Sequence, residues 1–200
     1  MSYRIIDISK DLNTKNVYEG DPIPSFSVYK SISAGNSCNM AAVSTTLHTG
    51  THADAPLHFI NGGKDIASAE LSAFVGECTV IEVNETVITG KFVNDNFPQV
   101  KRLLIKSGGK AYFDVTGAEE AADMGIELIG TDAMSVGSAG DQKGPHTALL
   151  GGNVNILENL ELKNVSPGRY FLLAQPVKIS GVDGAPARAL LLDGYLFWSK

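Results

Sequence analysis

Apolar residues along the chain fall in short runs, and few of them extend to helical length. Runs rich in β-branched and aromatic side chains recur at Ile5–Ile8, Phe26–Ile32, Met40–Leu47, Cys78–Val83, Leu103–Lys106, Leu128–Gly130, Tyr170–Ala174 and Ala189–Phe197. Their shortness and the turn residues that bound them (Gly20-Asp21-Pro22, Gly62-Gly63, Ser107-Gly108-Gly109, Pro167-Gly168) predict strands. Helical signals are fewer. Thr116–Met124 offers a polar cap region, Glu119 and Glu120 in its first turn, and a stop at Gly125. Pro145–Leu150 starts at a proline and ends at Gly151-Gly152, which suits a short helix or turn. Asp65–Phe74 is a third helical candidate. Strands interleaved with fewer helices predict a mixed α/β fold, more β than α.

With 200 residues, of which 44% are apolar, residues 1–200 suit one domain with a sizeable core. The formal charge is −6, and neither end carries a run of Lys or Arg, which argues against a surface that neutralises nucleic-acid phosphates. No stretch approaches the roughly 20 apolar residues of a membrane span. The opening MSYRIIDISK has neither the apolar run nor the cleavage pattern of a secretion signal. The two cysteines, Cys38 and Cys78, form no CxxC pair and cannot staple a secreted scaffold. They suit reduced thiols, so the expected location is the cytoplasm, with no nucleic-acid or membrane partner.

The candidate chemistry is concentrated in one segment. Of four histidines, His48, His52 and His58 fall within Leu47-His48-Thr49-Gly50-Thr51-His52-Ala53-Asp54-Ala55-Pro56-Leu57-His58-Phe59. Lone histidines are usually hydrogen-bonded core or surface groups, but scatter does not produce this clustering. In an extended segment His48, His52 and Asp54 share a face. A helix would also bring His48 and His52 together, but Thr-Gly-Thr between them and Pro56 after them disfavour it. Two imidazoles and one carboxylate suit zinc, manganese or iron, and such sites keep open positions for an activated water. His58 is then available for proton transfer near neutral pH. The fourth histidine, His146, follows Gly144-Pro145. Glu158 sits among Ile156, Leu157 and Leu160, where an ionised carboxylate needs a partner: a metal ion, or an Arg or Lys from elsewhere.

Other templates are missing. Gly137-Ser138-Ala139-Gly140 has the wrong spacing for a nucleophile elbow, and Ser107-Gly108-Gly109-Lys110 is more simply a turn after a strand than a phosphate loop. Metal-assisted hydrolysis is the enzyme class that remains.

The stretch His48-Thr49-Gly50-Thr51-His52-Ala53-Asp54-Ala55-Pro56-Leu57-His58 resembles the H-x-G-T-H-x-D-x-P-x-H signature of the cyclase family, which contains bacterial kynurenine formamidases and isatin hydrolases. Ile5–Ser9, Gly20–Pro22, Gly130–Val136, Ile156–Leu160 and Gly184–Arg188 resemble further blocks of that family. The resemblance implies a swivelling β/β/α layered domain, assembled as a homo-oligomer, a dimer or tetramer. It implies one or two divalent metal ions, zinc before manganese. His48, His52 and Asp54 would hold one ion, and Asp54, His146 and Glu158 a second, with Asp54 bridging. His58 would be the proton donor and acceptor. The implied substrate is a small molecule, an aryl formamide such as the N-formylkynurenine of tryptophan catabolism. Ring opening of an isatin-like cyclic amide or hydrolysis of a lactone is the alternative among enzymes. Outside enzymes, a metal-stabilised binding domain without turnover competes, although such a site has no use for His58. Two departures bear on specificity. Tyr18-Glu19 replaces the Trp-Pro with which formamidases of this family contact an aromatic substrate, leaving Tyr18 as the candidate substrate-binding ring. Gly137 replaces a frequent aspartate.

Overall fold

The computed structural model describes residues 3–195, and its strands follow from two kinds of burial pattern. The parallel strands at the centre of a nine-stranded sheet are, in order, β5 (Val75–Glu82), β7 (Arg102–Lys106), β9 (Leu128–Thr131) and β10 (Asn155–Glu158). The apolar runs of β7, β9 and β10 are covered on both faces, whereas β5 alternates buried Cys78 and Val80 with more open positions. Antiparallel strands complete it. Beyond β5 lie β11 (Gly168–Leu173), β13 (Leu190–Asp193) and β1 (Arg4–Asp7). Beyond β10 lie β4 (His52–Asp54) and then β12 (Gly184–Pro186) at the edge. Two parallel two-residue strands, β6 (Val87–Ile88) and β8 (Tyr112–Phe113), form a small separate pair.

Alternation along the central strands divides the apolar side chains into two cores. Leu104, Leu128 and Leu157 join Phe74, Leu172 and Leu191 inside the curl of the sheet. Leu103, Ile105, Ile129 and Ile156 face the other way. There they meet Val93, Ala118 and Leu149 of the helices α1 (Gly90–Asn96), α2 (Val115–Asp123) and α3 (Lys143–Gly151). Each fully buried Val, Leu, Ile or Phe among them contributes about 1.5–3 kcal/mol of burial free energy. The result is a curled mixed sheet with one helical layer, the β/β/α layering expected.

The expected elements differ from the observed ones at instructive places. Asp65–Phe74 is not an α-helix. It forms two separate 3-10 turns, Ile66–Ser68 and Leu71–Phe74, because Ala69 and Glu70 are extended between them. The helix expected from Thr116 starts a residue earlier, capped by Asp114, whose carboxylate accepts from Gly117 N at 2.8 Å. Strand β13 ends at Asp193, and positions 196 and 197 of the expected run lie outside the described residues. The turn Ser107-Gly108-Gly109 does form an anion cradle, and the anion is the chain's own. The Asp132 carboxylate accepts from the backbone N–H of Ser107, Gly108 and Gly109 at 2.9–3.1 Å and from the Ser107 hydroxyl at 2.8 Å.

One element stands apart. The antiparallel hairpin of β2 (Ser25–Lys30) and β3 (Met40–Ser44) is exposed along its whole length, with Phe26, Val28, Tyr29, Met40 and Val43 all open to solvent. No helix among the described residues is long and apolar enough to cross a membrane.

Candidate metal centre

The polar centre lies where β4 is sandwiched between β10 and β12. Antiparallel register sets Glu158 of β10 opposite His52, and Gly184 of β12 opposite Asp54. His52 and Asp54 are two residues apart on β4 and so share a face. The shared-face argument covers these two only, because the strand begins at His52 and His48 stands in the turn before it. Gly50, at φ +65°, takes the left-handed conformation that turns the chain, and the His48 and His52 rings meet edge to face at 5.0 Å. His146 comes from α3, and His58 from the 3-10 turn Pro56–His58.

These side chains converge. Asp54, fully buried, divides its oxygens between two groups. Oδ1 lies 2.9 Å from His48 Nδ1 and 3.4 Å from His52 Nε2, while Oδ2 lies 3.4 Å from His146 Nε2. Glu158 lies 3.3 Å from both His52 Nε2 and His146 Nε2, one through each oxygen. Its Oε1 also accepts from Val136 N at 2.7 Å, and the Ser135 hydroxyl stands 3.2 Å away. The alternative of an Arg or Lys partner for Glu158 does not arise, since its charged neighbours among the described residues are histidines.

The far ring nitrogens are pinned as those of metal-ligating imidazoles are. His52 Nδ1 donates to Gly50 O at 2.9 Å, and His146 Nδ1 to Gln142 O at 2.6 Å. Each ring therefore turns Nε2 toward the two carboxylates. His52 Nε2 and Asp54 Oδ2 are buried without a hydrogen-bond partner among the described residues, although opposite charges stand 3.3–3.4 Å away. Two buried carboxylates facing three imidazoles require positive charge between them, supplied by protons on the rings or by a cation.

Proton affinities express the same demand. Burial opposes a charge on His48 and His146, yet contacts with Asp54 and, respectively, Asp183 and Glu158 lift their pKa values to about 9 and about 10. His52 is also raised against its burial, by Glu158 and Asp54. For Asp54, burial is outweighed by His146 and His48, which hold its carboxyl well below the usual range. Glu158 is lowered too, its burial and the charge of Asp54 being overcome by His146 and His52. His58 differs. Burial pushes its pKa down, and the neighbouring His48 and His146 add to that.

Ligand atoms of His48, His52 and Asp54 lie within 4.8 Å of one another, a set that could hold a metal ion. His146 and Glu158, on the other oxygen of Asp54, offer donors for a second. Nitrogen and carboxylate donors of this kind suit zinc and neighbouring divalent ions. The centre opens into a pocket of about 370 Å³, walled by Tyr18, Leu47, Phe59 and Met134. Phe59 stacks on the His146 ring at 4.3 Å. Sequence reasoning missed Phe59 and also Asp183, whose carboxylate contacts both His48 and His58 at 3.1 Å. The only signal for Asp183 was its place immediately before the Gly184–Arg188 block.

The Cyclase family profile matches residues 6–138, and the chain belongs to that family. It is 36% identical over 200 residues to a kynurenine formamidase of Bacillus cereus, covering 93% of this chain and 96% of that one. A solved structure described as a potential metal-dependent hydrolase with cyclase activity superposes with a TM-score of 0.80 at 29% identity, over 98% of this chain and 100% of that one. Isatin hydrolase A from Labrenzia aggregata, bound to benzyl benzoate, shares the fold, with a TM-score of 0.79 at 18% identity over 96% and 94% of the two chains.

Proposed function

We propose that this chain is a metal-dependent hydrolase that cleaves the carbon–nitrogen bond of a small aryl formamide, as its kynurenine formamidase relatives are named for doing. The observation that carries the reading is the buried centre of His48, His52, Asp54, His146 and Glu158 at the floor of an aromatic-walled pocket, with His58 beside it. His48, His52 and Asp54 would hold one divalent ion and Asp54, His146 and Glu158 a second, zinc before manganese on this donor set. When bound, such an ion supplies Lewis acidity, polarising a carbonyl and acidifying a water.

The chain's own groups do the rest. Tyr18, Phe59 and Met134 hold the aryl ring and exclude water around it. Water adds to the formyl carbon, and His58 accepts its proton. The C–N bond then breaks, and His58 delivers that proton to the departing nitrogen, leaving the amine and formic acid, which ionises to formate in solution. The lowered pKa of His58 keeps it ready to accept a proton at neutral pH.

We place the enzyme in the cytoplasm, on its two free thiols, Cys38 and Cys78, and in tryptophan catabolism, on the substrate of its relatives. Its partner is a second copy of the chain, covering the exposed hairpin, because an apolar two-stranded ribbon left in water is marginally stable.

The test is direct. Chelator-stripped protein, reloaded with zinc or manganese, is assayed on N-formylkynurenine, an aliphatic formamide, isatin and a lactone. Chelator-sensitive release of formate, fastest from the aryl formamide, is expected. Turnover of isatin or the lactone without the formamide would replace this reading, and metal binding without any turnover would favour the non-catalytic one.

A further inference from the structure

Asp183 belongs to none of the residues assigned above, yet it touches two of them through one atom. Its Oδ2 lies 3.1 Å from His48 Nε2 and 3.1 Å from His58 Nδ1. Both are hydrogen-bond lengths. Among the described residues its ion-pair partners are these two histidines, with no Lys or Arg to claim it. The two rings lie nearly parallel, with centroids 3.9 Å apart, so one carboxylate oxygen can serve both edges.

The backbone is built to hold this contact. Asp183 O accepts from Ala55 N at 2.8 Å, which ties it to the residue after Asp54. The next residue must be glycine for His48 to approach. A Cβ on Gly184 would come within 2.7 Å of His48 Cε1.

We propose that Asp183 is a positioning residue that fixes the ring orientation and tautomer of both histidines. A neutral imidazole carries one N–H, and the carboxylate accepts it. Without an ion, the 2.9 Å contact of His48 Nδ1 with Asp54 Oδ1 also carries a proton; with one, the Nδ1 lone pair would be left for the metal centre and the remaining His48 proton held on Nε2. On His58 it is held on Nδ1, leaving Nε2 as the acceptor for the proton of the attacking water. An acceptor on the far nitrogen pins His52 and His146 in the same way, through backbone carbonyls. At His48 and His58 the acceptor is a charged side chain, which holds the N–H more strongly than a carbonyl does. The role of Asp183 toward His58 rests on the hydrolase reading, whereas its hold on the tautomer does not.

The experiment separates the two. The tautomer of His58 is read by two-bond 1H–15N correlation in labelled, chelator-stripped protein near pH 8, with its signals assigned through His58→Gln. In the parent protein Nδ1–H is expected. In Asp183→Ala the bias is expected to disappear, with Nε2–H appearing, while Asp183→Glu restores part of it. Metal stoichiometry at saturating zinc should stay unchanged. With an aryl formamide, kcat should fall about 10–100-fold in Asp183→Ala with little change in KM, the usual cost of removing such an orienting partner. An aryl formate ester needs less help with its leaving group and should lose less. The double variant His58→Ala/Asp183→Ala should lose clearly less than the product of the two single losses, because part of the Asp183 effect runs through His58.

Unchanged Nδ1–H in a folded Asp183→Ala protein would overturn the proposal. So would loss of a bound metal ion, which would make Asp183 a ligand, or additive losses in the double variant. A tautomer shift in a protein that hydrolyses no amide would uphold the positioning and refute the amidase reading instead.

Discussion

Asp54→Asn is the substitution on which the two-ion arrangement turns. It keeps the size and shape of the side chain, so the fully buried site gains no cavity, and it removes one negative charge. In the parent, Oδ1 faces His48 and His52 while Oδ2 faces His146, so the carboxylate belongs to both donor groups. Without its charge, the first group keeps two neutral imidazoles and no anion. The second keeps His146 and the carboxylate of Glu158. The amide keeps one neutral oxygen, which can serve only one group, and its NH2 cannot ligate, so both groups lose the shared anion. Removing a partner outside the coordination shell costs about 10–100-fold in metal affinity, and loss of a shared anionic ligand must cost more at both positions. Each tenfold is about 1.4 kcal/mol of binding free energy. The assay is elemental analysis after exchange against a weak chelator, together with calorimetric titration of zinc into stripped protein. The parent is expected to keep two ions, Asp54→Asn none and Glu158→Gln one. Two ions retained by Asp54→Asn, or both lost from Glu158→Gln, would refute the bridging assignment.

Further outcomes follow from the same geometry. His58→Ala should keep its metal content and lose about two to four orders of magnitude in kcat, the range for a general acid–base group, and a metal-free variant would make His58 a ligand. Tyr18→Ala should raise KM for an aryl formamide more than for an aliphatic one, and Tyr18→Trp should favour larger aryl groups. Equal changes for both substrates would remove Tyr18 from specificity. In stripped protein, the raised pKa values of His48 (about 9) and His146 (about 10) give stability that is complete below their ordinary 6.5 and is lost as pH climbs through 9 to 10. The lowered Asp54 and Glu158 give stability that is complete above their ordinary 3.8 and 4.5 and is lost as pH falls further. The melting temperature should therefore peak near pH 5–6.5 and fall toward pH 10, a decline that bound zinc abolishes; a flat curve from pH 6 to 10 would contradict this. Val28→Glu, at a hairpin position 73% exposed, should shift the mass measured by light scattering toward that of a monomer, and an unchanged mass would exclude this hairpin from self-association.

How far the sequence was legible depends on the range of the interaction. The cluster at 48–58 is local, so its residue types and spacing announced a metal-type site before any fold was known. The pairing of His52 with Asp54 follows from the two-residue period of a strand. His48 did not follow from that period, because Gly50 turns the chain before the strand begins. Glu158 reaches the site through its register opposite His52 across more than a hundred residues, which no local pattern encodes. The family resemblance supplied what periodicity could not. Asp183 escaped both readings, since a single aspartate before a glycine looks like any turn. Short strands were missed for a related reason. The three residues of β4 and of β12 are polar or small and carry no apolar run, and their pairing comes from neighbours. Helix α1 has only seven residues and begins at glycine, too little for a helical period to emerge.

The centre also sits at the thinnest edge of the sheet. β4 and β12 make few ladder hydrogen bonds, and an edge of this kind is where amide exchange and local opening ordinarily begin. Here the edge carries four buried polar side chains, His52, Asp54, His146 and Glu158, drawn from β4, α3 and β10. A cation among them would act as a clasp across segments that are far apart along the chain. Occupying the site and closing the edge then become one equilibrium: every tenfold rise in free ion above its dissociation constant adds about 1.4 kcal/mol against opening. With the ion bound, the amides of β4, β10 and β12 should gain their protection together, as one cooperative unit, which hydrogen exchange with and without zinc would read.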